Sequence, residues 1–281
     1  MSGEEWALIV FSLLTQMAVG TYFMLLVIRS FLAKEMDNKT VSLMIRPGFL
    51  IVIPMMAVAL LASLFHLGSP FVAYQAVGNL GTSWLSREIF FSGLFFLLAV
   101  CSFFYYKKEN VGNVPGWLTS LIGLAAVYSM AGIYSNTIKP AWTGPNTFVA
   151  FFGTSFLLGS LVAGALTIPG AKKDLPKSIS MPLLQKLGVV AMVALALQLI
   201  YLPLYFTGLA GGGIAAQASA NLLSQNYSFP LLLRWLIPVI VGGVLLFRLF
   251  HENGNDTLPL NEFYGALLLV LVAEVIGRYL F

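Results

Sequence analysis

Read along its hydrophobic and polar positions, the chain alternates between long apolar runs and short polar connections. Eight runs are long enough to cross a bilayer as helices, at about 20 residues each. They cover approximately 5–28, 48–67, 88–106, 117–138, 146–168, 184–206, 231–250 and 261–280. Backbone groups in lipid must be paired within the spanning segment, and no barrel-like series of alternating ten-residue strands is present. The pattern predicts an all-α integral membrane protein, a single bundle of eight transmembrane helices. Pro47 fits the first turn of the second run, Gly68 and Pro70 its end, and Pro54 a kink within it. No internal repeat is visible. The longest connection, 207–230, carries no charge and reads equally as a link, a short surface helix or a docking surface.

Composition agrees with this pattern. Apolar residues make up 59% and charged residues 9% of 281, against about 25% charged in a soluble domain. The net charge of +4 is no sign of nucleic acid, because the cations lie in the connections. Eleven Lys and Arg fall on one side of the bundle (Arg29, Lys34, Lys39, Arg46, Lys107, Lys108, Lys172, Lys173, Lys177, Lys186 and Arg248). Four fall on the other: Arg87, Lys139, Arg234 and Arg278. The positive-inside rule then places both termini on the outer side. The first run lacks a basic leader and reads as a retained helix. Cys101, the single cysteine, reads as a small buried hydrophobe and excludes a disulfide framework or cysteine-held cluster.

Ionisable residues at membrane depth are costly and usually mark function. His66 ends the second run and Glu88 begins the third, at one outer level. Arg234 lies a turn into the seventh run, and Glu274 and Arg278 stand i,i+4 near the outer end of the eighth. Arg87 precedes Glu88, and Gln16 sits near mid-depth in the first run. Plainer readings exist for each: a Glu274–Arg278 pair holding the last helix, snorkelling by Arg234, an interfacial Arg87, Gln16 as interhelical glue, His66 as a capping side chain. Taken together they suit proton-coupled chemistry. A neutral histidine accepts a proton from a phenolic hydroxyl, and a neighbouring carboxylate passes it to water. A quinol is the natural membrane-soluble ligand. With two histidines at opposite ends, His66 and His251, no bis-histidine haem can form, a methionine second ligand stays open with ten Met present, and P-loop and dinucleotide fingerprints are missing. If the chain oxidises a quinol, the electrons leave directly to a cofactor in another subunit. The competing readings are a proton-coupled carrier of a small solute, for which Gln16 and Pro54 are the only support, and a passive anchor.

The stretch "FHLGSPFVAYQAVGNLGTSWLSREI" (65–89) resembles the membrane-anchor subunit of the dimethyl sulfoxide reductase family, with its HLGSP block and the glutamate–isoleucine start of its third helix. "FSLLTQMAVG" (11–20), "YSNTIKPAWTGPNT" (134–147) and "AEVIGRYLF" (273–281) resemble it too, so the likeness spans nearly the whole sequence. The plan is also distantly similar to polysulfide-reductase-type membrane subunits. The resemblance implies a haem-free anchor in the bacterial inner membrane that oxidises menaquinol near the periplasmic face. Its electrons go to an iron–sulfur subunit that serves a molybdopterin catalytic subunit. It also implies that His66 is the quinol-site histidine and Glu88 the helix-three glutamate. Arg87 replaces what is often an asparagine. No haem, iron–sulfur cluster or metal is expected in this protein, and the terminal acceptor is set by the catalytic partner.

Overall fold

The structure, a computed structural model, describes residues 3–66, 77–106, 114–171, 177–251 and 260–280. Eight long helices dominate them: α1 (Gly3–Leu32), α2 (Asn38–His66), α3 (Trp84–Tyr105), α4 (Val114–Ser135), α5 (Pro145–Ala171), α6 (Lys177–Ala210), α8 (Ser228–His251) and α9 (Leu260–Leu280). All eight are long and apolar enough to cross a membrane. The connection left open by the sequence contains a short helix, α7 (Ile214–Asn221), and a π-turn over Leu222–Asn226, both mostly exposed.

Two features differ from the pattern reading. Asp37 caps α2 through its Oδ2, which accepts from the Thr40 N–H at 2.9 Å, so the helix begins nine residues before Pro47. That bond also holds the Asp37 carboxyl below the usual carboxylate range. Pro47 and Pro54 consequently both lie inside α2. Hydropathy alone misses such a polar first turn, because the cap chemistry rather than the apolar run sets the start. The second difference is Cys101, which is exposed on α3 instead of buried. In a membrane protein the outer helix faces are apolar too, so burial cannot be inferred from hydrophobicity. Leu43, Leu61, Leu97, Leu197, Ile200 and Phe247 are likewise exposed.

Packing divides the helices into two groups of four. In the first, α1 meets α2, α2 meets α3, α3 meets α4, and α4 returns to α1. The order repeats in the second group: α5 with α6, α6 with α8, α8 with α9, and α9 with α5. No sequence periodicity announces this repeat, because it is carried by packing order alone. Four helices per group is an even number, so equivalent helices run in the same direction.

The two groups meet along α1 and α5. A Cβ added to Gly20 would collide with the Ser155 carbonyl, and one added to Gly159 would collide with the Gly20 backbone. Ser155, Gly159 and Ala163 form a small-residue stripe at i,i+4 spacing that admits this approach. Around the crossing, Tyr22 packs against Phe49 and Phe95 and shares a 2.6 Å hydrogen bond with Ser102. Gly159→Val should separate the two groups. Overpacking of this kind costs about 1–3 kcal/mol, and a drop in thermal midpoint in detergent would report it. An unchanged midpoint would show that the crossing is loosely packed.

Candidate functional site

Ser83 caps α3, its hydroxyl accepting from the Ser86 N–H at 3.3 Å. Arg87 folds back on the preceding turn, donating to the carbonyls of Leu80 at 2.8 Å and Gly81 at 2.7 Å, with its guanidinium 4.3 Å from the Trp84 ring centre. This turn fixes the first residues of α3 and leaves Arg87 at the surface end. Glu88 follows, only 7% exposed, and turns inward. It borders a cavity of about 460 Å³ between α1, α2 and α3. The walls are apolar, with Phe11, Leu60, Leu64, Leu85 and Phe96 among them, and among the described residues the only other lining side chains with oxygen are Ser63 and Ser92. Ser63 donates to its own helix at Leu60, and Ser92 Oγ has no partner among the described residues. No hydrogen bond or ion pair satisfies the Glu88 carboxylate among them either. His66 is the last residue of α2; its side chain lies outside the described residues.

The remaining ionisable residues gather in the second group of helices. Arg234 on α8 and Glu274 on α9 form an ion pair at 2.9 Å, with side chains 7% and 2% exposed. Thr154 on α5 donates to Glu274 Oε2 at 2.7 Å, and Gln198 Oε1 on α6 accepts from Arg234 at 3.2 Å. The i,i+4 pairing expected of Glu274 and Arg278 gives way to contacts across helices. Glu274 takes Arg234, while Arg278 donates to Gln16 on α1 at 2.5 Å and lies 3.9 Å from the Phe151 ring centre. Cross-helix partners prevail because the buried carboxylate meets a guanidinium and a hydroxyl there together. Gly277 makes this possible: a Cβ at that position would run into Arg234 Nε. A second, smaller cavity of about 100 Å³ borders Thr154, Gln198, Arg234, Glu274 and Arg278.

The five ionisable groups expected at one outer level are thus placed at one end of the bundle, but on two cavities, one per four-helix group, with the His66 side chain undescribed. Tyr134, at the end of α4, stands between them. It packs edge-on to Trp142 at 5.3 Å and against Phe151 at 5.6 Å, within electrostatic reach of both Glu88 and Arg278. The sequence alone does not single out Tyr134, Thr154, Gln198 or Trp235. Gln198 carries a usable signal, since it is an amide inside an apolar run just as Gln16 is. Threonine and aromatic residues are too common in such runs to stand out.

Comparison with known proteins assigns the chain to a family. Residues 1–281 match the family described as DMSO reductase anchor subunit (DmsC). The protein belongs to this family. It is 31% identical to the C subunit of the anaerobic dimethyl sulfoxide reductase of Haemophilus influenzae, over 99% of this sequence and 93% of that protein. Against the corresponding C subunit of Escherichia coli the identity is 26%, over 99% and 94%. The anaerobic dimethyl sulfoxide reductase subunit YnfH of Escherichia coli is 30% identical over 58% of this sequence and 57% of its own. As a DmsC-family member, the protein is a multi-pass membrane anchor of a DMSO reductase complex, with catalytic and electron-transfer subunits as its partners.

Proposed function

We propose that this anchor subunit binds menaquinol in the Glu88 cavity and oxidises it for the complex. The observation that carries the reading is a buried carboxylate, without a partner among the described residues, facing a large apolar cavity. Leaving such a group unsatisfied is costly, and a quinol hydroxyl supplies the missing hydrogen bond. The volume lies within the roughly 300–1,000 Å³ usual for small-molecule pockets, and the apolar walls suit a flat ring with an isoprenoid tail. Positions 57, 60 and 63 of α2 border the cavity in steps of three, and the next step is His66. Glu88 and His66 each take one hydroxyl proton as the quinol becomes quinone. The two electrons pass to an iron–sulfur subunit and on to a molybdopterin subunit that reduces dimethyl sulfoxide or a similar acceptor. The bacterial inner membrane, with both termini and the quinol site towards the periplasm, completes the reading from the distribution of Lys and Arg.

A carrier of a small solute has one observation in its favour, the parallel repeat of four helices, which some transporters also show. Carriers bind near the bilayer midplane, whereas both cavities here lie towards one end. A menaquinol analogue added to the purified complex should reduce the iron–sulfur clusters, read by their paramagnetic resonance. Clusters that an artificial donor reduces but the quinol leaves oxidised would overturn the proposal.

A further inference from the structure

The smaller cavity differs from the Glu88 cavity in every respect that selects a ligand. Its volume of about 100 Å³ is less than a quarter of the 460 Å³ of the Glu88 cavity. A single tetrahedral or planar oxyanion suits this smaller space better than a two-ring quinone headgroup. Among the described residues, two donors beside it lack partners, and the one carboxylate on the same wall, Glu274, keeps its Oε1 only in the ion pair with Arg234. Arg234 is 6% exposed, and its Nη1 has no hydrogen-bond partner among the described residues, although Nη2 is shared by Glu274 and Gln198. Trp235, next in sequence, presents an indole Nε1 that is equally without a partner among them. Both residues border the cavity. The first turn of α5 reaches it at Asn146, so the positive end of a 27-residue helix adds to the potential. Among the described residues on its wall, two guanidiniums face one carboxylate.

We propose that this cavity binds a phosphate-bearing anion, held by Arg234 Nη1, Trp235 Nε1 and the start of α5. A buried guanidinium nitrogen without an acceptor is the costly group, and an anionic oxygen satisfies it with a charge-assisted hydrogen bond. The phosphate has two sources, an acidic phospholipid of the surrounding bilayer or the free ion. Apolar surface for acyl chains is present on the cavity wall itself, at Leu202, Phe206, Leu223 and Leu231.

The test uses the whole complex and does not depend on quinol turnover. Reconstitution into vesicles of equimolar phosphatidylglycerol and phosphatidylcholine, followed by native mass spectrometry, reads the retained lipid. Titration of the delipidated complex with inorganic phosphate, read by its thermal midpoint, tests the free ion. Arg234→Gln/Glu274→Gln neutralises the pair without stranding a charge, and Trp235→Phe removes only the indole donor. Each should weaken binding about tenfold, the worth of one hydrogen bond to a charged group. Retained phosphatidylglycerol that both variants lose identifies the lipid; phosphate stabilisation that both lose, with no retained lipid, identifies the free ion. If neither probe distinguishes the variants from the wild type, the cavity holds water only and the proposal is wrong.

Discussion

Glu88→Gln should lower quinol-dependent turnover by about 10²–10⁴-fold, the usual contribution of a positioned acid–base group. Turnover with an artificial electron donor to the partner subunits should stay at the wild-type rate. The substitution keeps the shape and hydrogen-bonding reach of the side chain, which sits in a packed turn below the Ser83 cap, and removes only the capacity to take a proton. A loss confined to the quinol reaction therefore separates chemistry from assembly. His66→Gln should show the same split. If Glu88→Gln turned over quinol at the wild-type rate, the carboxylate would be a structural group and the Glu88 cavity would lose its assignment. Arg87→Gln is the internal control. Its guanidinium is engaged with the Leu80 and Gly81 carbonyls rather than the cavity, so its effect should be small.

How much of this is legible in the sequence follows from what each residue type reveals. Eight apolar runs are visible because lipid imposes both length and composition on a span. Glu88, Arg234, Glu274, Arg278 and Gln16 stand out for the same reason, being expensive where they lie. Their grouping is not legible. One-dimensional depth puts them at one end of the bundle, yet which helices adjoin is decided by the α1–α5 crossing at Gly20 and Gly159. That crossing separates Glu88 from the Arg234–Glu274 pair and puts Arg278 beside Gln16. Helical spacing favours a Glu274–Arg278 pair, but the tertiary partners Arg234 and Thr154 prevail over it. The four-helix repeat is equally hidden. Lipid-facing and core-facing positions are both apolar, so two groups can share a packing order without sharing a pattern.

The Arg234–Glu274 pair should give the largest stability effect in the protein when broken from one side. Removing one partner of a buried ion pair costs about 3–5 kcal/mol, because the other charge stays behind without compensation. Glu274→Ala leaves Arg234 with only the Gln198 amide oxygen, and it also strands the Thr154 hydroxyl. A large fall in the thermal midpoint of the detergent-solubilised complex is expected. Replacing both members with apolar residues of similar size, as in Arg234→Met/Glu274→Leu, should recover most of the loss, since well-packed apolar pairs are often as stable as buried ion pairs. Gln198 loses its donor in that variant but keeps its own bond to the Ala194 carbonyl at 3.3 Å. If the double variant were as unstable as the single one, the pair would contribute attraction beyond its desolvation cost. Recovery would instead mean that the charges are retained for something other than stability, and the two unpartnered donors beside them on the small cavity supply a physical reason.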